Sequence, residues 1–101
     1  MITLKVKYLR GLQKLSGLIN DEKASQVFFR THFGIHTFGL KFPIDVLILD
    51  SKGRVVKQSQ NLKPNRIYLW PLKYNQVIEL PAGVVKKNNI EVGDQLKLNL
   101  I

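Results

Sequence analysis

The sequence predicts an α+β domain that is mostly β: a small antiparallel barrel-like sheet of six or seven short strands with two short helices. Three observations predict it. Short apolar runs recur at spacings of roughly 8–12 residues with Gly, Pro or Asn between them, the pattern of small β folds. Only two stretches carry helical spacing. The chain has 101 residues, 45% hydrophobic and 23% charged, with no cysteine, so one apolar core rather than a disulfide framework holds it. Residues 1–101 read as a single domain, without repeat, linker or low-complexity segment.

Ile2, Leu4 and Val6 alternate with Thr3, Lys5 and Lys7, which makes a half-buried opening strand. Leu9, Leu12, Leu15, Leu18 and Ile19 then recur at helical spacing, predicting a helix over 9–19 softened by Gly11 and Gly17. Asn20 to Lys23 is a polar turn, and Val27-Phe28-Phe29 is a β-prone run ending at Arg30. Ile44 to Asp50 is almost continuously apolar, as expected of a central strand covered on both faces. Ser51-Lys52-Gly53 turns the chain into a hairpin partner, Arg54 to Lys57.

Strands are predicted from Ile67 to Trp70, stopped by Pro71, and from Val77 to Leu80, stopped by Pro81. Pro81 suits the first turn of a helix over Ala82 to Lys87, since its missing N–H costs nothing there. Gly93-Asp94 is a turn that needs Gly at 93 for positive φ, and Gln95 to Leu100 alternates as the last strand.

Charge is the unusual bulk property. Lys and Arg number 16 against 7 Asp and Glu, a net +9. Between 51 and 75 stand Lys52, Arg54, Lys57, Lys63, Arg66 and Lys73, with no acid among them. Such a field draws phosphates or acidic partners, and it also keeps a small protein soluble. The start of the chain carries no apolar export run, and no stretch approaches a membrane span, so a cytoplasmic protein without a membrane partner is expected.

Two segments carry a resemblance. Phe33-Gly34-Ile35-His36-Thr37-Phe38-Gly39-Leu40-Lys41-Phe42-Pro43-Ile44-Asp45 runs into the apolar strand and the Gly53 turn, and Val77-Ile78-Glu79-Leu80-Pro81-Ala82-Gly83 is followed by Ile90-Glu91-Val92-Gly93-Asp94-Gln95-Leu96. Together they resemble the signature of the domain-of-unknown-function 192 family over about residues 15–98. Leu40 departs from it, where many relatives carry Met. The resemblance implies a β-rich fold and no defined activity.

The residues offer two functional readings. In the first, the chain is a non-catalytic binding module with a basic surface. Lys57, Lys63, Arg66 and Lys73 interleave with Trp70 and two tyrosines, the ingredients of a site for nucleic acid or another polyanion. In the second, His36, Thr37 and Asp45, with Arg30 nearby, line a small-ligand pocket or a hydrolase-like site of base, nucleophile and acid. Adjacent residues such as His36 and Thr37 point to opposite faces of an extended chain, which works against catalysis. Asp45 shares a strand face with Leu47 and Leu49 and so needs a partner, from Arg30, Lys41, His36 or amides near Gly34 and Gly39. With two histidines, His32 and His36, and no cysteine, neither a metal nor a cofactor is expected.

Overall fold

Six strands hydrogen-bond into one mixed sheet in the computed structural model, which describes residues 2–9, 26–32 and 34–101. In chain order the strands are β1 (Ile2–Tyr8), β2 (Val27–Arg30), β3 (Ile35–His36), β4 (Ile44–Leu49), β5 (Val55–Leu62), β6 (Ile67–Tyr68), β7 (Gln76–Pro81) and β8 (Leu96–Leu100), with a short helix α1 (Val84–Lys87). The sheet order is β5-β4-β7-β2-β1-β8, and β3 and β6 form a separate two-stranded ribbon. The predicted helix over 9–19 and the turn at Asn20 to Lys23 lie outside the described residues, apart from Leu9.

The β-rich character matches the expectation, and the antiparallel sheet is matched in part. Around β4 and β7 all pairing is antiparallel, but β1 runs parallel to both β2 and β8. Parallel neighbours need crossover connections longer than a hairpin, and residues 9–26 separate β1 from β2. The sheet curls as a half-barrel, because its edge strands meet at one end. There Arg54 bridges Gln95, Val55 N–H donates to Asp94 O at 2.9 Å, and Leu96 N–H donates to Gly53 O at 3.0 Å.

β4 is the predicted central strand, buried along its whole length and paired on both sides. Its alternate residues feed two cores. Leu47 and Leu49 join Leu4, Val6, Ile78, Leu80 and Val85 on one face, while Ile44, Val46 and Ile48 join Phe29, Val77 and Trp70 on the other. The turn into β5 is closed by Asp50, whose carboxylate accepts the N–H groups of Lys52 and Arg54 at 2.9 Å each.

Asp45 is wholly buried and its carboxylate accepts three backbone N–H groups: Asn61 at 2.9 Å, and Gly83 and Val85 at 3.0 Å each. It braces β4 to β5 and to the start of α1, with donors other than those the sequence suggested. The same contact corrects the helix boundary. Pro81 is the last residue of β7, Gly83 caps the helix, and α1 begins at Val84 because Asp45 holds the amides of 83 and 85.

Gly93 has φ +99, as its turn requires, and an added Cβ there would meet nothing within 4 Å. Gly93→Val is therefore expected to cost only the backbone strain, about 1–3 kcal/mol. Urea melts read that loss, and an unchanged midpoint would show that the turn relaxes without penalty.

Candidate functional site

The β3–β6 ribbon carries the site. Ile35 pairs with Tyr68 and His36 with Ile67, so the inward residues Ile35 and Tyr68 pack on the second core, where Trp70 is buried. Gly34 makes the approach feasible: at φ +95, a Cβ would lie 2.6 Å from Tyr68 O. The outward residues stay in water, with Phe38 47%, Ile67 65% and Leu69 60% exposed. They surround an open, mostly carbon-lined pocket of about 230 Å³, completed by Gly34, Ile35 and His36.

The rings of His36 and Phe38 stack, with centroids 4.9 Å apart and planes 23° apart. Phe38 N–H donates to His36 Nδ1 at 3.3 Å, the contact expected of the tautomer that carries its proton on Nε2.

Thr37 turns inward beside this pair and is fully buried. Its hydroxyl donates to Lys63 O at 2.7 Å and accepts Arg66 N–H at 2.9 Å, while Thr37 N–H donates to Arg66 O at 2.9 Å. Thr37 thus holds the 63–66 turn against the ribbon, and that turn presents Lys63 and Arg66, both exposed.

The predicted site residues separate accordingly. Of His36, Thr37, Asp45 and Arg30, only His36 lines the pocket. The Thr37 hydroxyl and the Asp45 carboxylate are engaged with backbone, and the Arg30 guanidinium lies over the Tyr8 and Phe28 rings at 5.7 and 5.6 Å. The polyanion set separates too. Lys57 Nζ donates to Leu69 O at 2.7 Å and sits 4.9 Å from the Tyr68 ring centre, so it anchors the ribbon. Lys73 is exposed over the Tyr74 ring, at 5.1 Å from its centre. Trp70 is 6% exposed and its Nε1–H donates to Tyr74 O at 2.8 Å, so it is a core residue and offers no surface for stacking. Among the described residues, Phe38 is the Phe, Tyr or Trp that is exposed at the surface instead.

Sequence reasoning missed Glu79. It stands on β7 facing the second core, paired with Val27 on one side and Val46 on the other. Burial pushes its carboxyl up from 4.5 to about 7. The one signal was an acid inside the apolar run Val77-Ile78-Glu79-Leu80. Burial also raises the Tyr68 phenol to about 12, and its hydroxyl is buried without a partner among the described residues. The described residues contain no group of three or more metal-ligating side chains, and no described helix is long and apolar enough to cross a membrane.

Comparison with known proteins places this fold among uncharacterised relatives. The chain is 40% identical over 68 residues to a UPF0127 protein of Pyrococcus horikoshii, and 41% identical over 71 residues to one of Pyrococcus abyssi. Those alignments cover 67% and 68% of this chain but only 58% and 60% of the relatives, so the chain spans under two thirds of their length.

Two crystal structures share the fold. A protein of unknown function from Novosphingobium aromaticivorans superposes with TM-score 0.70 at 15% identity, over 92% of this chain and 71% of that one. A Sinorhizobium meliloti protein provisionally assigned as a transcription regulator gives TM-score 0.70 at 20% identity, over 92% and 78%. The family model for domain of unknown function 192, described as an uncharacterised ACR, matches residues 5–98, and the chain belongs to that family.

Proposed function

We propose that this chain is a non-catalytic binding module whose ribbon end takes a polyanion, with nucleic acid as the partner. One observation carries the reading: an exposed aromatic and aliphatic pocket lies in a loop cluster rich in cations and free of acids. Residues 31–43 and 61–75 contribute Lys41, Lys63, Arg66 and Lys73 and not one carboxylate. All four of these side chains are exposed, and Thr37 fixes the turn that carries two of them. Neutralising phosphates releases condensed counterions, so an assembly of this kind binds most tightly at low salt.

Fluorescence anisotropy with labelled oligonucleotides of about 16 residues tests the reading across a salt series. If Lys63, Arg66 and Lys73 each meet a phosphate, log affinity falls with log salt at a slope near −2. Replacing all three with Gln is expected to flatten that slope and to leave the melting temperature nearly unchanged, because exposed substitutions usually cost within about 0.5 kcal/mol. Absence of binding at about 50 mM salt, where the electrostatic attraction is strong, overturns the reading.

A further inference from the structure

We infer that the polyanion is single-stranded and that one unstacked base docks in the ribbon pocket against Phe38 and Leu69. The inference rests on the polyanion reading and adds which form of nucleic acid the site accepts.

The argument begins with the chemistry of the lining. Phe38, Ile67 and Leu69 expose carbon, and Gly34 and Ile35 complete the floor. With His36 as the one polar side chain in its lining, a surface of this kind grips a flat apolar face more than it reads hydrogen-bonding edges. At about 230 Å³ the pocket has room for one planar base. Phe38 is prepared for such a partner, because His36 covers one side of its ring and fixes its plane while 47% of the residue stays exposed.

Charge complementarity names the occupant. An apolar peptide or acyl chain would satisfy the carbon lining alone. Here the residue next to Phe38, Thr37, binds the backbone of the turn bearing Lys63 and Arg66, so the segment that carries these two exposed cations is held against the ribbon. A base attached to a phosphodiester backbone supplies both halves: a flat face for the pocket and anionic oxygens for the turn. In a duplex the base faces are already stacked on one another, so filling the pocket would first require unpairing.

Two consequences follow from a grip on faces rather than edges. Binding tolerates sequence, and purines, with the larger face, bind more tightly than pyrimidines.

The test measures anisotropy with labelled oligo(dA) and oligo(dT), with a duplex of equal length, and with heparin as a polyanion lacking bases. The expected result is single strand over duplex by about tenfold, and a loss of about tenfold on single strands for Phe38→Ala, with the salt slope and heparin affinity retained. Leu69→Ala is the second variant, and melting curves confirm that both are folded. If Phe38→Ala and Leu69→Ala leave single-strand affinity unchanged while Lys63→Gln with Arg66→Gln weakens it, the base-docking inference falls and the polyanion reading stands. If neither oligonucleotide nor heparin binds, both fall. Vesicles containing phosphatidylglycerol form a separate arm. Vesicle binding that Phe38→Ala abolishes, with oligonucleotide binding unaffected, assigns the patch to a lipid surface and overturns the inference.

Discussion

Replacing Asp45 with alanine is expected to lower the unfolding free energy by about 3–5 kcal/mol. The carboxylate is the common acceptor for the amides of Asn61, Gly83 and Val85. Removing it leaves three donors without their acceptor, that of Val85 in a buried position and those of Asn61 and Gly83 in part-buried ones, and cuts the tie between β4, β5 and α1 at once. At about 4–8 °C per kcal/mol for a domain of this size, the melting temperature falls by roughly 20 °C. Asp45→Asn keeps the shape but turns an NH2 toward one of the donor groups, so an intermediate loss is expected. Calorimetry of the two variants checks the order. A loss below about 1 kcal/mol for Asp45→Ala would mean that water or a shifted chain replaces the carboxylate without difficulty.

The second large effect belongs to Glu79 and depends on pH. Its folded carboxyl titrates near 7 and its ordinary value is 4.5, so the folded protein holds a proton that the unfolded chain has already released. The folded state is favoured below 4.5, and that advantage is lost as pH rises through about 7. At about 1.4 kcal/mol per tenfold change in proton affinity, the loss amounts to about 3 kcal/mol.

The neighbours on the sheet do not relieve it. Val27 and Val46 flank Glu79, and the next positions in the row are Lys7 and Ser59. Asp50 acts in the opposite sense and in a different window. Its carboxyl is held below 3.8, chiefly by the Arg54 N–H, so any change it causes comes at more acid pH. Denaturant melts between about pH 4.5 and 8 should show wild-type stability falling and Glu79→Gln nearly level. A wild-type curve as flat as that of the variant would mean that the carboxyl ionises in place, with solvent reaching it.

Much of the sheet was legible because each strand carries its own signal. Ile2, Leu4 and Val6 declare β1 by alternation, and Ile44 to Leu49 declare β4 by continuous apolarity. Partner and direction are different information. Alternation tells which face of β1 is buried, but the same pattern serves a parallel or an antiparallel neighbour, so its pairing with β2 and β8 could not be read.

The site failed to show for a related reason. In 67–70 the outward residues Ile67 and Leu69 are as apolar as the inward Tyr68 and Trp70, and no binary pattern says which pair faces water. That is why Trp70 stood among the candidate binding residues and Phe38 did not. Asp45 was legible as a buried acid from its strand position. Its donors come from residues 16 to 40 positions away, which local sequence cannot anticipate.

The position of β1 bears on how the protein forms during synthesis. β1 is made before the other strands of its sheet, yet one of its edges is completed by residues 96–100, the strand of that sheet made latest. A ribosome adds about 5–20 residues per second, so β1 spends several seconds with that edge unpaired while the rest is translated. Lys5 and Lys7, both exposed at the surface of the finished sheet, put charge on this waiting strand and discourage its pairing with strands of other nascent chains. Pairing of Ile2 with Leu96 also raises the contact order, and folds of high contact order assemble on the slow side of the range for their size. Exchange of backbone amide protons in β8 should therefore be the last protection to appear in refolding.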